Sequence, residues 1–185
     1  MIDANSLRKG VIFAMDGNLF KVKDYHHNKT ARGGATIRIK AFNLRTGANI
    51  EQTFNSGERV QDVRLDYHKV QYLYNDGDFY YFMNNETYEQ PAINASMLDD
   101  VVGFLKEGLS VKLTFFGDEP LDVELPTSVE LEVVEAEVAV RGDTATGVTK
   151  KVICETGLEV QSPNFINVGD IIKVDTRTGE YLTRV

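Results

Sequence analysis

Short stretches in which apolar and polar residues alternate dominate the chain and predict β-strands. In residues 35–41 every second position is apolar, so alanine and isoleucine line one face while threonine, arginine and lysine line the other. Similar runs recur along the sequence, and turn signals such as Asp16-Gly17 and Asp76-Gly77 join neighbouring runs into hairpins. The pattern predicts an all-β protein.

The strand signals fall into three successive blocks. Residues 1–64 fit a small SH3-like barrel, and residues 65–127 and 128–185 each fit an OB-type barrel. Only residues 93–105 place apolar side chains at helical spacing, with a cap available at Asn94 or Ser96. We therefore expect three small β-barrels in a row, one substantial helix near 94–105, and an elongated molecule.

Charge is unevenly distributed between the blocks. Residues 1–64 hold 11 lysines and arginines against 6 aspartates and glutamates, a net of +5, whereas residues 65–185 hold 9 against 22, a net of −13. A basic end on an acidic body suggests that one end meets a polyanion while the rest avoids it. Chance variation between domains is the alternative interpretation.

The sequence lacks the apolar segments and paired cysteines that are typical of membrane and secreted proteins. No apolar run approaches the roughly 18 residues that a transmembrane helix needs, and the apolar run at residues 11–15 is too short and wrongly flanked for a signal peptide. The single cysteine, Cys154, excludes an internal disulfide. We expect a cytoplasmic protein that does not insert into membranes.

The strongest candidate for binding chemistry is the polar loop at residues 28–34. It holds two cations, Lys29 and Arg32, and no anion. Gly33 and Gly34 allow the backbone to approach a partner closely.

Further cations flank this loop at strand spacing. Lys21 and Lys23 share a face of one strand, and Arg38 and Lys40 share a face of the next. Because like charges side by side destabilise a sheet, an anionic partner such as RNA is the natural compensation. An ordinary solvated barrel face is the alternative.

The sequence offers little for catalysis or metal binding. His26 and His27 are adjacent and point to opposite faces of a strand, while His68 and Cys154 stand alone, so no zinc site is expected. Motifs for nucleotide binding and for nucleophilic hydrolysis are missing. We expect no cofactor and no catalytic residue.

Seven aromatic residues crowd into residues 72–88. They could form a base-stacking platform of the OB type, or a barrel core with tyrosine hydroxyls at its rim. The core is the favoured interpretation.

The same region carries a family resemblance. Residues 72–90 read YLYNDGDFYYFMNNETYEQ, which resembles the central signature of the bacterial elongation factor P family. Residues 142–144 (GDT) and 169–181 (GDIIKVDTRTGEY) resemble its C-terminal domain, and the spacing agrees over essentially the whole chain. The resemblance implies an SH3-like, KOW-type domain followed by two OB folds, in an L-shape similar to tRNA.

The resemblance also implies a function. Members of this family bind the bacterial ribosome between the peptidyl and exit tRNA sites and relieve stalling at consecutive prolines. The implied partners are the ribosome, peptidyl-tRNA and exit-site mRNA, and a monomer is expected. Holding reactants in a near-attack geometry can recover several kcal/mol without a new catalytic group. A generic OB-fold protein that binds single-stranded nucleic acid is the alternative, and an acidic β-rich hydrolase is a third.

The family's functional residues map onto this chain by position. Arg32 is implied to contact the CCA end of peptidyl-tRNA, supported by Lys29, Gly33 and Gly34. Family members carry there an extended lysine or a rhamnosylated arginine, so Arg32 excludes the lysine type and leaves open whether a rhamnosyltransferase acts on it. The tip also resembles that of the elongation-factor-P-like paralogue. The family's exit-site codon loop matches Gly142, Asp143 and Thr144. Its C-terminal contacts with tRNA or ribosome match Tyr181 and Arg184.

Overall fold

The computed structural model of the chain describes residues 1–29, 34–98, 100–138 and 149–185. In these residues sixteen strands form three antiparallel sheets, connected by turns and three one-turn 3-10 helices. The predicted all-β fold class is confirmed.

The first sheet occupies the N-terminal third of the chain. Its strand order is β1-β6-β2-β3-β4-β5, and a 3-10 helix at Ala4–Ser6 follows β1. The alternation seen in the sequence is the alternation of burial, because Ile37 and Ile39 are fully buried while Arg38 is exposed. The strands are β1 (Ile2–Asp3), β2 (Ile12–Met15), β3 (Asn18–Asn28), β4 (Thr36–Asn43), β5 (Asn49–Asn55) and β6 (Arg59–Asp62).

The second sheet has the order β11-β10-β7-β8-β9. Its β7–β8 hairpin turns at Gly77, whose φ of 99° lies in the region that favours glycine. Buried side chains such as Phe82 and Leu113 cover one face. The strands are β7 (Asp66–Asn75), β8 (Phe79–Met83), β9 (Ala92–Asn94), β10 (Ser110–Phe116) and β11 (Glu119–Glu124).

The helix predicted for residues 93–105 is wrong. The described residues there form two 3-10 helices, Ala95–Met97 and Val102–Phe104, and the Asn94 side chain caps the first by accepting from the Ser96 amide at 3.0 Å. Adjacent β-branched valines followed by Gly103 have low α-helix propensity, so nothing local extends either turn. No helix among the described residues is long and apolar enough to cross a membrane.

The third sheet has the order β14-β13-β12-β15-β16. Its core includes Leu131, Val133 and Ile172, all fully buried, and Phe104 packs into the same core. The strands are β12 (Ser128–Ala136), β13 (Thr149–Cys154), β14 (Glu159–Pro163), β15 (Ile171–Asp175) and β16 (Tyr181–Arg184).

Packing groups the described residues into two compact units. The first unit contains Met1–Tyr67 together with Thr114–Asp122, and the second contains His68–Leu113 together with Val123–Val185. The boundaries predicted after residues 64 and 127 lie between strands of different sheets. The division into three domains at those boundaries stays a prediction.

Candidate functional site

Strands β3 and β4 form a long hairpin that leads to the predicted tip loop. The two strands remain paired as far as Asn28 and Thr36, and Lys29 and Gly34 are exposed just beyond. A Cβ added to Gly34 would meet no described atom within 4 Å, so alanine can be accommodated there. Thr30–Gly33, and with it the expected contact residue Arg32, lies outside the described residues.

The four cations predicted to flank the loop lie on the outer face of this hairpin. Arg38 and Lys40 are exposed and alternate with the buried isoleucines of β4. Lys21 pairs in register with Phe42, and the Lys23 ammonium lies 5.1 Å from the centroid of the Phe42 ring. The structure therefore brings the four side chains onto one surface.

The chain's own carboxylates neutralise much of that surface. Arg38 Nη2 lies 2.7 Å from Glu51 Oε2, and Lys40 stands in register with Asp24 on one side and Glu51 on the other. Lys21 forms an ion pair with Asp122. The prediction from the sequence considered two strands and not their neighbours, so it did not include these carboxylates. Contact between this face and RNA stays a prediction.

The carboxylates of Asp24 and Glu51 are ionised at neutral pH because their surroundings lower the pKa of each. A hydrogen bond from the Tyr25 amide, helped by His26 and Lys40, lowers the pKa of Asp24. A hydrogen bond from Arg38 lowers the pKa of Glu51. The face is thus a mixed pattern of charges at neutral pH, and the loop at its end stands out as cationic.

The aromatic cluster of the second sheet divides into two groups. Tyr72 and Phe82 are buried, and Tyr80 stacks on Tyr72 with ring centroids 5.9 Å apart. Tyr74 and Tyr81 form a separate stack, in which Tyr74 is 53% exposed. The core interpretation describes the first group only.

The predicted C-terminal contacts lie on the last strand. Tyr181 is half-buried against the third core, whereas the Arg184 guanidinium lies 5.5 Å from the centroid of the exposed Phe165 ring. Arg184 Nη1 is also 3.8 Å from Asp170 Oδ2. Sequence reasoning missed Phe165 and Asp170, since no periodicity links loop residues to a strand. The predicted codon loop, Gly142, Asp143 and Thr144, lies outside the described residues.

The described residues contain no group of three or more histidine, cysteine or acidic side chains placed to hold a metal ion. Cys154 is buried, and desolvation raises the pKa of its thiol to about 11, so the nucleophilic thiolate is scarce at neutral pH.

Comparison with known families assigns all three parts of the chain. The models of the elongation factor P KOW-like domain, the elongation factor P OB domain and the elongation factor P C-terminal domain match residues 3–60, 65–123 and 129–184. Together these matches span nearly the entire sequence.

Full-length relatives agree with this assignment, and a solved structure has a similar fold. The chain is 50% identical over 185 residues to elongation factor P of Thermoanaerobacter sp. (strain X514) and 48% identical to that of Caldanaerobacter subterraneus, with 100% of each chain covered. Eukaryotic translation initiation factor 5A from Methanococcus jannaschii has a similar fold, with a TM-score of 0.50, 21% identity, and coverage of 67% of this chain and 91% of that one. The chain belongs to the elongation factor P family.

Proposed function

We infer that this chain binds the ribosome and peptidyl-tRNA between the peptidyl and exit tRNA sites and stimulates peptide-bond formation at consecutive prolines. Membership of the elongation factor P family along the whole chain is the observation that carries this inference. Members of the family are non-enzymatic translation factors that assist translation at polyproline stretches. We therefore propose that the ribosome performs the chemistry and that the chain acts beside it in the cytoplasm.

Positioning is the physical basis of this help. Proline is a constrained and poor nucleophile, so its reaction gains from any contact that holds peptidyl-tRNA in a near-attack geometry. The β3–β4 hairpin supports the proposal because its strands remain paired up to Asn28 and Thr36, which supplies a stiff base for the loop.

Within the loop, Arg32 is the proposed contact for the CCA end. A guanidinium donates hydrogen bonds in a planar fork, stacks on bases and stays charged at any physiological pH. Lys29, three residues earlier in the sequence, is exposed and adds a second charge, while Gly34 offers a surface without a side chain. We propose that Arg32 is the modification site of an arginine-tip member, with a rhamnosyltransferase as the modifying enzyme.

Two further contacts complete the proposal. The loop with Gly142, Asp143 and Thr144 approaches the exit-site codon, where the carboxylate accepts and the hydroxyl donates hydrogen bonds to base edges. Tyr181 and Arg184 contact tRNA or ribosome at the end of the third sheet, with Arg184 held beside Phe165.

The test compares Arg32→Ala, Arg32→Lys and wild type in translation of a proline-run reporter. We expect the free energy of unfolding of Arg32→Ala to change by no more than about 0.5 kcal/mol, because the polar sequence around Arg32 predicts a surface loop. Proline-run synthesis should fall roughly tenfold or more, because the proposed contact that holds peptidyl-tRNA in a near-attack geometry is lost. Arg32→Lys should rescue poorly, since a point charge does not reproduce the fork.

Controls separate the contact from the fold. Arg59→Ala removes an exposed arginine from the same sheet and should leave proline-run synthesis unchanged. Intact-mass analysis of the natively purified protein shows whether Arg32 carries a sugar. Synthesis at the wild-type rate by a folded Arg32→Ala protein would remove Arg32 from the mechanism.

A further inference from the structure

We propose that Asp122 and Glu119 of β11 are positioning residues that hold the base of the β3–β4 hairpin through Lys21 and Arg45. This proposal rests on the proposed function, because that function requires the hairpin to present the tip loop at a fixed position. It also assigns Lys21 to a contact within the chain and not to RNA.

Two ion pairs carry the inference. Lys21 and Asp122 are 101 residues apart and form an ion pair in which the side chains are only 30% and 18% exposed. Arg45 Nη2 lies 3.2 Å from Glu119 Oε2, across 74 residues of sequence. If only one ion pair were present, the hairpin could rotate about that contact. Two ion pairs at different points also restrain the direction in which the hairpin extends.

The packing of the chain is an independent observation in favour of this assignment. Residues Thr114–Asp122, which contain the end of β10, the turn and the beginning of β11, group with Met1–Tyr67 as one compact unit, apart from the rest of their own sheet. Both ion pairs therefore lie inside one compact unit.

The position of the pairs makes them effective. Lys21 lies seven residues before Asn28, so about 23 Å of strand separates the ion pair from the loop, and Arg45 follows the last residues of β4. A tilt of about 10° at the base would move the far end by about 4 Å. Reacting groups tolerate much smaller displacements, so loss of the pairs should reduce stimulation.

The alternative, that Lys21 contacts RNA, predicts the opposite result for one variant. Removing the Asp122 carboxylate would free Lys21 for an external phosphate and strengthen ribosome binding. Under the positioning proposal, removal of either partner has the same effect, because the loss of the pair is what matters.

The first experiment uses the full chain in proline-run translation at saturating factor. We expect Lys21→Ala and Asp122→Ala each to reduce the rate roughly three- to tenfold. The charge swap, Lys21→Glu with Asp122→Lys, should restore it to within about twofold. The exposed Lys112–Glu124 pair, 2.8 Å apart on β10 and β11, is the matched control, and Glu124→Ala should have no effect.

The second experiment measures the position of the hairpin without the ribosome. Spin labels at Asn28→Cys and Asp118→Cys, two exposed sites in the first unit, report the distance from the end of the hairpin to the β10–β11 turn. The buried Cys154 is replaced by serine to avoid a third label. We expect a narrow distance distribution in the parent, a broader or shifted one in Lys21→Ala and Asp122→Ala, and recovery in the charge swap.

The outcomes are distinguishable. Unchanged distances in both alanine variants would overturn the positioning role, whatever happens on the ribosome. Reduced translation in Lys21→Ala alone, with Asp122→Ala as active as wild type, would also overturn it and assign Lys21 to RNA. If the wild type fails to stimulate proline-run synthesis, the proposed function fails, and the spin-label distances still decide the positioning role.

Discussion

The phenol rings of Tyr74 and Tyr81 stack with their centroids 4.8 Å apart and their planes 21° from parallel. The Tyr81 hydroxyl donates a hydrogen bond to Asp76 Oδ2 at 2.8 Å, and this bond raises the pKa of Tyr81. The stack thus combines an exposed aromatic surface with an adjacent carboxylate. An aromatic surface favours nucleobases, whereas the carboxylate repels the phosphates that accompany them.

This arrangement predicts weak binding of free RNA. We expect a random single-stranded oligonucleotide to bind more weakly than micromolar at physiological salt, and Tyr74→Ala to change its affinity by less than about twofold. Fluorescence anisotropy with a labelled oligonucleotide measures both, and Tyr88→Ala removes another exposed tyrosine as a control. Tight binding that Tyr74→Ala abolishes would favour the alternative function, a general single-stranded nucleic-acid-binding protein.

The contact between Phe165 and Arg184 predicts a coupled effect on ribosome binding. Phe165→Leu removes the ring beneath the guanidinium, so ribosome affinity should fall roughly two- to fivefold, the usual value of an exposed cation–π contact. Stability should change little because Phe165 is 57% exposed. Val168→Ala, an exposed substitution in the same loop, should leave affinity unchanged.

A double-mutant cycle tests whether Phe165 acts through Arg184. In an Arg184→Ala background, Phe165→Leu should have almost no further effect on ribosome affinity. An equal loss of affinity in both backgrounds would show that Phe165 contributes independently of Arg184. The explanation that Phe165 positions the Arg184 guanidinium would then be abandoned.

Asp175 predicts a contribution to stability that depends on pH. Hydrogen bonds from the Arg177 side chain and amide lower the pKa of Asp175 from 3.8 to about 2. A lowered pKa in the folded state means that the contribution is complete above pH 4 and is lost as the pH falls from about 4 to about 2. Between these pH values, the wild type should therefore lose more stability than Asp175→Asn.

Urea unfolding at pH 5, 4, 3 and 2 measures this difference, and Asp118→Asn controls for the removal of one exposed carboxylate. An NMR titration that places the Asp175 pKa near 3.8 would contradict the prediction directly.

Local order determined what could be predicted from the sequence. The alternation in residues 35–41 became the buried and exposed faces of β4, because side-chain direction in a strand changes with each residue. The turn at Gly77 likewise depends on a backbone conformation that few other residues adopt. The failed helix at 93–105 shows the limit of this approach. Three of its buried apolar residues, Leu98, Phe104 and Leu105, lie in or directly after short 3-10 helices, and Phe104 packs into the third core.

The sequence by itself determined the all-β class, the succession of sheets and the family, because these depend on neighbouring residues and on a contiguous signature. Only the tertiary structure decided which charges meet. Arg38 forms an ion pair with Glu51 on the next strand, and Lys21 forms one with Asp122, which is 101 residues away in the sequence. Ion pairs of this kind leave no periodic trace in the chain, because they depend on which strands the fold brings side by side.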